Sequence, residues 1–403
     1  MRISSHWFIR GLLSLFLAGL FLVWRGAHAK SGNISDRGLN SPNKSFALAA
    51  KRSKYRSAQS SFTFSQDTDI FLPLINRSKV QAQKGVWISK SELAKLPTSG
   101  SAWKQLKAAA DETSLYPDLS DRGAETNIVI LAKALVYART GEGRYREDVR
   151  AALKVITSQD TEDGGNILPV GRNLAAYVIA ADLIELSNYD AVLDLQFRNK
   201  LRELLDKEID GDSLRSTHET RANNFGTHAG ASRAAVAVYL GNHAELERTA
   251  KVFSGWLGDR SAYSGFNYGD DLSWQCDPTK PVGVDPSGCV KGGHDISGAI
   301  PEEMRRGGSF QWPPLETGYP WEGLQGALVQ AEILHRAGYA AWEWEDQALL
   351  RAVQFLYEIG WQAEGDDEWQ IWLINRVYGT SFPTALPAQP GKNMGFTDWT
   401  HAP

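Results

Sequence analysis

Cysteine is scarce in this chain: two residues, Cys276 and Cys289, among 403. They stand in a segment without helical patterning, and no second Cys or His pair lies at zinc spacing, so no metal site is expected. In an exported chain such a pair reads first as a disulfide. Net positive charge is also lacking. The formal charge is −4, which excludes non-specific nucleic-acid binding. There is no phosphate-cradling glycine loop and no basic stripe on a helix, so a nucleotide role has no support and no cofactor is expected. Strict β-type alternation is missing over most of the length.

One hydrophobic run is long. It is "GLLSLFLAGLFLVW" (11–24), preceded by Arg2 and Arg10 and followed by "AHA" (27–29). A basic start, an apolar core and a small-x-small site describe a secretory signal peptide over 1–29. A bilayer span takes about 20 apolar residues, so removal is expected rather than stable membrane insertion. No cysteine follows the run to carry a lipid. The mature chain would begin near Lys30 and be secreted or periplasmic. Removing 1–29 takes away three arginines and no acid, which moves the formal charge from −4 to about −7. If such a protein handles a polyanion, its positive charge must be concentrated locally. Residues 30–84 carry ten Lys/Arg against three Asp. They read as a basic flexible leader, more simply a solvated linker than a polymer-binding arm.

From "KGVWISKSELAKL" (84–96) onward the pattern is helical. In "TNIVILAKALVYARTG" (126–141), Ile128, Leu131, Leu135 and Ala138 recur at spacings of three and four, and Gly141 stands where a C-terminal cap belongs. "RYREDVRAALKVITS" (144–158) is its partner. The pairing repeats through 171–209, 230–258 and 321–361, each time across a short turn bearing Gly, Asn or Asp. Repeated helical hairpins predict an all-α fold over 85–403, either a solenoid or a closed (α/α) toroid. The 14 tryptophans and 13 tyrosines tip the expectation to the toroid, an incomplete barrel of helical hairpins with an aromatic cleft. Between 257 and 320 the helical pattern stops. That segment is rich in Gly, Pro and aromatics, too long for a passive connection, and stiffened if Cys276 and Cys289 pair.

Two adjacent asparagines open one of the helices in "ETRANNFGTHAGASR" (219–233). Asn223 or Asn224 as an N-cap is the simple structural reading. One cap leaves one asparagine over, with His228 one turn beyond Asn224. Downstream, "EEMRRGGSFQWPPLETGYPWEGLQGALVQAEIL" (302–334) carries Arg305 and Arg306, then Tyr319 at a helix start. An arginine pair is usually a solvated face, and a tyrosine there is often a staple. Together, though, Asn, His, Arg and Tyr suit β-elimination on a uronic acid. Removing the C5 proton builds a second negative charge on the carboxylate, which amides and cations stabilise. A base takes the proton and an acid returns one to the glycosidic oxygen.

These motifs resemble those of the alginate-lyase-like polysaccharide lyases. "NNFGTH" matches the element that opens one inner helix, and "RRGG…GYPWEGLQGALVQAEIL" matches the Arg-to-Tyr element. "PGKNMGFTDWTH" (390–401) looks like a closing motif. The resemblance implies an (α/α) toroid and a lyase acting on an anionic polysaccharide, alginate or glucuronan in type. It implies that Asn224 binds the uronate carboxylate, with Asn223 supporting it or capping. Arg306, or else Arg305, pairs with that carboxylate or favours the Tyr319 phenolate, and Tyr319 is the acid and in some stereochemistries also the base. In mannuronate the proton and leaving group are syn, so one tyrosine serves both; in guluronate they are anti and a separate base is needed. The family's histidine position holds Phe225 here, which leaves His228, facing the same way as Asn224, or His294 in "KGGHDISG". Arg172, Tyr177 and Arg221 are candidate subsite residues, and Trp274 and Trp312 candidate sugar platforms, although most tryptophans in so aromatic a chain are core.

Two rivals follow from the same residues. A glycoside hydrolase on this toroid needs two carboxylates across the scissile bond, and Asp270, Asp271, Glu302, Glu303 and Glu316 are available. A non-catalytic exopolysaccharide-binding or assembly protein would hold polymer and generate no new ends.

Overall fold

In the computed structural model, which describes residues 85–402 apart from 114, 124, 162 and 163, helices make up most of the regular structure. The expected signal peptide (1–29) and basic leader (30–84) lie outside the described residues. The first helix, α1 (Lys90–Leu93), is closed by a reciprocal cap: Glu92 N donates to Ser89 Oγ and Ser89 N to Glu92 Oε2. Then follow α2 (Ser101–Ala110), α3 (Thr126–Thr140), α4 (Gly143–Ser158), α5 (Leu168–Leu183), α6 (Leu186–Tyr189) and α7 (Ala191–Asp206). After α8 (Leu214–Thr220) come α9 (Asn224–Leu240) and α10 (His243–Leu257). The long loop contains a two-residue hairpin, β1 (Val290–Lys291) with β2 (His294–Asp295), and α11 (Pro301–Met304). The chain ends with α12 (Tyr319–Arg336), α13 (Trp344–Glu358), α14 (Trp369–Tyr378) and α15 (Thr397–Thr400). Gly141 ends α3 with a φ of 76°, a left-handed stop that glycine adopts without a Cβ clash.

The helices fall into two kinds. Along α4 the buried residues form one stripe, Tyr145, Val149, Ala152, Leu153 and Ile156, and α7 and α10 are built alike. By contrast α5 is buried all round, with Asp182 alone outside its buried set, and α12 leaves out only Tyr319 and His335. Helices of the second kind form an inner row in which α3 packs on α5, α5 on α9 and α9 on α12. Amphipathic helices cover them: α4 lies on α3, and α10 on α9 and α13. Each fully buried leucine or isoleucine of the inner row, such as Leu324, Leu328 or Ile333, contributes roughly 1.5–3 kcal/mol by leaving water.

Glycine brings the inner row together. A Cβ on Gly326 of α12 would sit 2.5 Å from the His228 backbone nitrogen of α9, and one on Gly171 of α5 would lie 3.1 Å from Ala229 N. Without those methyls, side chains from three helices meet at one level. The C-terminal stretch 390–401 returns to the first helices. Trp399 Nε1 donates to Pro97 O at 2.8 Å, its ring lies 5.3 Å from that of Trp103, and Asn127 Nδ2 reaches Lys392 O.

The loop between α10 and α12 holds the Cys276–Cys289 disulfide and an apolar core of its own. Trp274 is buried within it, edge-on to Phe310, with Nε1 donating to Gly308 O at 3.0 Å. Asp285, also buried, accepts from Cys276 N. Among the described residues no helix is long and apolar enough to cross a membrane.

Candidate functional site

The first residue of α9 bonds a carboxylate that also packs against α12. Asn223 occupies the N-cap position of α9, yet its side chain makes no capping bond. The Asn224 backbone N–H is met instead by Glu303 Oε1, from 79 residues further along the chain. Glu303 sits on α11 and presses against the first turn of α12, where a Cβ on Gly323 would come within 3.2 Å of its Cγ. The positive ends of two long helix dipoles therefore point into the same region, a setting that favours an anion. Of these polar atoms, Asn223 Oδ1, Asn224 Oδ1 and Glu303 Oε2 are buried without a partner among the described residues. The simple capping reading of the two asparagines is thus corrected: a distant glutamate takes that role, and both side-chain amides remain free of it.

Two residues after Glu302 and Glu303 the paired arginines part company. Arg305 turns back onto Glu302, donating from Nη2 at 2.7 Å and Nε at 3.0 Å. Arg306 makes no ion pair among the described residues; its guanidinium lies 4.2 Å above the centroid of the Tyr319 ring. Tyr319, the first residue of α12, is 37% exposed. Both groups are open to solvent on one side, so a planar cation lies over a phenol at the surface.

Behind this pair lies a second cluster, one helical turn deeper. Glu322, three residues after Tyr319, is contacted by three basic groups. The Arg172 guanidinium of α5 donates to Oε1, His228 Nε2 lies 3.2 Å from the same oxygen, and Lys392 Nζ donates to Oε2 at 2.9 Å. Burial opposes the Glu322 anion, but the His228 hydrogen bond and the charges of Arg172 and Lys392 outweigh it, so the carboxyl lies far below the ordinary range. For His228 burial is the larger influence and lowers the imidazole pKa against the pull of Glu322. The ring is neutral at pH 7, its proton on Nε2 towards the carboxylate, with Nδ1 unpartnered. Because His228 is 0% exposed, it stands behind the site, and Tyr319 is the group that reaches solvent. Beside Lys392, which also pairs with Asp366 at 3.2 Å, burial pushes the Asp367 carboxyl up to about 7.

Glu303 differs from its neighbours in its charge. Its full burial outweighs the hydrogen bond from Asn224 and the nearby Arg306, and raises the carboxyl to about 8. It is therefore a neutral acid at pH 7, close enough to Arg306 to feel its charge.

Arg306 lies on the Tyr319 ring, Arg172 and His228 meet at Glu322 one turn further along the same helix, and Asn224 is tied through its backbone to Glu303. Other candidates lie elsewhere or are occupied. Trp274 is no sugar platform, because the loop buries it as its own core. Tyr177 is fully enclosed in α5, where burial raises its phenol, so it is a core residue and not a subsite. Arg221 is paired with Asp212 at 2.7 Å, and Arg305 with Glu302. His294 and Trp312 stack on each other in the loop, rings 4.3 Å apart and 10° from parallel, with Trp312 39% exposed. Three participants were not singled out for these roles from sequence: Glu303, Glu322 and Lys392. A glutamate at the fourth position of a buried helix, in "YPWEG", and a lysine beside the terminal "NMGF" were the available signals. No family model matches the chain, and no curated protein matches it.

Proposed function

We propose that the chain is an exported polysaccharide lyase of the alginate-lyase-like kind, acting on a β-1,4-linked polyuronate by β-elimination. The two-layer arrangement of buried and amphipathic helices supports an (α/α) toroid, and the disulfide suits a secreted or periplasmic location. The observation that carries the reading is the Arg306 guanidinium on the face of the exposed Tyr319 ring, with its charge also acting on Glu303, the carboxyl that holds the Asn224 N–H.

In this reading the substrate carboxylate lies towards Asn224 and Arg306, drawn by the two helix ends. Tyr319 Oη is the base that takes the C5 proton. The electron pair moves into the carboxylate as an aci-anion, then returns to form the C4=C5 bond as the C4–O bond breaks. The phenol proton passes to the departing glycosidic oxygen. One group for both transfers fits uronates whose C5 proton and C4 oxygen are syn. Mannuronate and glucuronate share that configuration, so mannuronan and glucuronan are the substrates expected, and a guluronan is disfavoured. The hydrolase alternative is weakened because Glu302 is held by Arg305 and Asp271 serves as a turn acceptor for Ser273 and Ser309.

The test is incubation with mannuronan, guluronan, glucuronan and hyaluronan, followed by ultraviolet absorbance of the new double bond. Tyr319→Phe should lower turnover by roughly 10²–10⁴-fold while polymer retention stays intact. Reducing ends without absorbance would point to hydrolysis, and retention with no new ends to a binding protein.

A further inference from the structure

We propose that Glu303 donates a hydrogen bond from Oε2 to the carboxylate of a bound uronate, sharing that group with the Asn224 amide; the inference rests on the lyase reading above. The geometry is unusual for a glutamate with a structural task alone. Oε1 is committed to the Asn224 backbone N–H, whereas Oε2 is buried and unpartnered. Buried polar atoms seldom stay unpaired, since their desolvation then goes uncompensated. Asn223 Oδ1 and Asn224 Oδ1 are unpartnered beside Oε2; as acceptors they would take sugar hydroxyls, and Glu303 is the one of the three that can give a hydrogen to a carboxylate.

The neighbouring charges decide what Glu303 can offer. On its own segment Arg306 favours the anion and Glu302 opposes it, and Glu322 of α12 opposes it too. From α9 the Asn224 N–H favours the anion. Burial exceeds these effects, and the group carries its proton at pH 7. A neutral carboxyl has one hydrogen to give, and an arriving carboxylate is the partner it lacks. Adjacent Glu302 makes the contrast plain. It accepts from Gly269 N at 2.9 Å and pairs with Arg305, so it is an ordinary structural anion.

The proton stays on Glu303 throughout. In the ground state the O–H meets a carboxylate of one negative charge. As the C5 proton leaves for Tyr319, the same oxygens acquire a second charge and the hydrogen bond strengthens. Only an interaction that grows in this way accelerates the step.

The experiment measures kcat/KM against pH for wild type, Glu303→Gln and Glu303→Leu, by ultraviolet absorbance on the polyuronate that wild type cleaves. Above pH 8 wild type should fall about tenfold per pH unit relative to Glu303→Gln, a ratio in which every other titration cancels. Glu303→Gln, which keeps a donor without a titrating proton, should start about tenfold lower at pH 7 and lose that alkaline fall. Glu303→Leu should lose roughly 10²–10³-fold. Infrared difference spectra of wild type minus Glu303→Gln give a readout apart from turnover. A protonated carboxyl band should be present at pH 6.5, vanish on alkalinisation, and shift to lower frequency when a saturated oligouronate binds. A ratio that stays flat above pH 8, or a band that oligouronate does not move, overturns the proposal while the lyase reading stands. If wild type cleaves no polyuronate, the lyase reading falls and this inference with it.

Discussion

Two buried polar networks lie beside α9, and they are finished to different degrees. Around Arg233 every carboxylate oxygen has a guanidinium. Glu245 Oε1 accepts from Arg215 Nε and Arg233 Nε at 3.0 and 2.5 Å, and Oε2 from Arg215 Nη2 at 2.9 Å. Glu219 Oε1 takes Arg248 Nε and Arg233 Nη1, and Oε2 takes Arg248 Nη2. Around Glu303 one oxygen is used, and the amide oxygens of Asn223 and Asn224 are left over. A network that exists to hold helices together closes on itself. One built to receive a ligand keeps unmet atoms, and it is tolerated because the surrounding glycine-mediated packing holds it in place.

That contrast breaks first, and by the largest amount, at Arg233. Arg233→Ala removes the buried guanidinium that bridges Glu245 and Glu219, leaves each carboxylate with a single arginine and empties a fully buried site, and the loss should be about 3–5 kcal/mol in chemical unfolding. Turnover per folded molecule should be unchanged, since Arg233 has no place in the site. Tyr319→Phe should do the reverse, sparing stability and removing turnover. Equal unfolding midpoints for wild type and Arg233→Ala would show that the closed network is not what stabilises α9.

The two networks should also respond to pH with opposite signs. Arg248 lowers the Glu219 carboxyl; for Glu245, burial raises it but Arg215 and Arg233 overcome that. Their stabilising effect is present above the ordinary carboxyl value and is lost on acidification. Glu303 is raised, from an ordinary 4.5 to about 8. The folded protein therefore holds a proton that the unfolded chain releases, and this contribution is full below pH 4.5 and declines as pH climbs to 8. The slope is about 1.4 kcal/mol per pH unit within that window. Unfolding Glu303→Gln beside wild type from pH 4.5 to 8 should open a gap in the variant's favour. Parallel curves would mean that Glu303 is ionised in the fold.

How much of this was legible in the sequence depended on the range of the contacts. Gly141 as a helix stop and the stripe on α4 follow from spacing alone, because helix periodicity is a local property. Tyr319 and Arg306 could be paired from residue chemistry. Glu322 could not be placed, since its partners lie 150, 94 and 70 residues away. Trp274 and Tyr177 misled for the opposite reason. Each sits among residues that suggest a cleft, but a long ordered loop must bury something of its own, and an inner helix has no exposed face. The short helices α8 and α14 gave too few turns for periodicity to register.

The smallest predicted effect probes why the unfinished network can persist. Gly326 lets α12 approach α9 so closely that an added methyl would lie 2.5 Å from His228 N and from the carbonyl carbon of Thr227. Backbone atoms cannot rotate aside, so Gly326→Ala must push the helices apart, at about 1–3 kcal/mol. The displacement would fall directly on His228 and on the turn of α12 that carries Glu322. The His228–Glu322 hydrogen bond, 3.2 Å as it stands, would lengthen first. Nuclear magnetic resonance of the His228 ring should then show loss of the Nε2-protonated tautomer, with the Arg233 network undisturbed. An unaltered ring signal together with native stability would show that the helices meet by side-chain packing and not by the absence of a methyl.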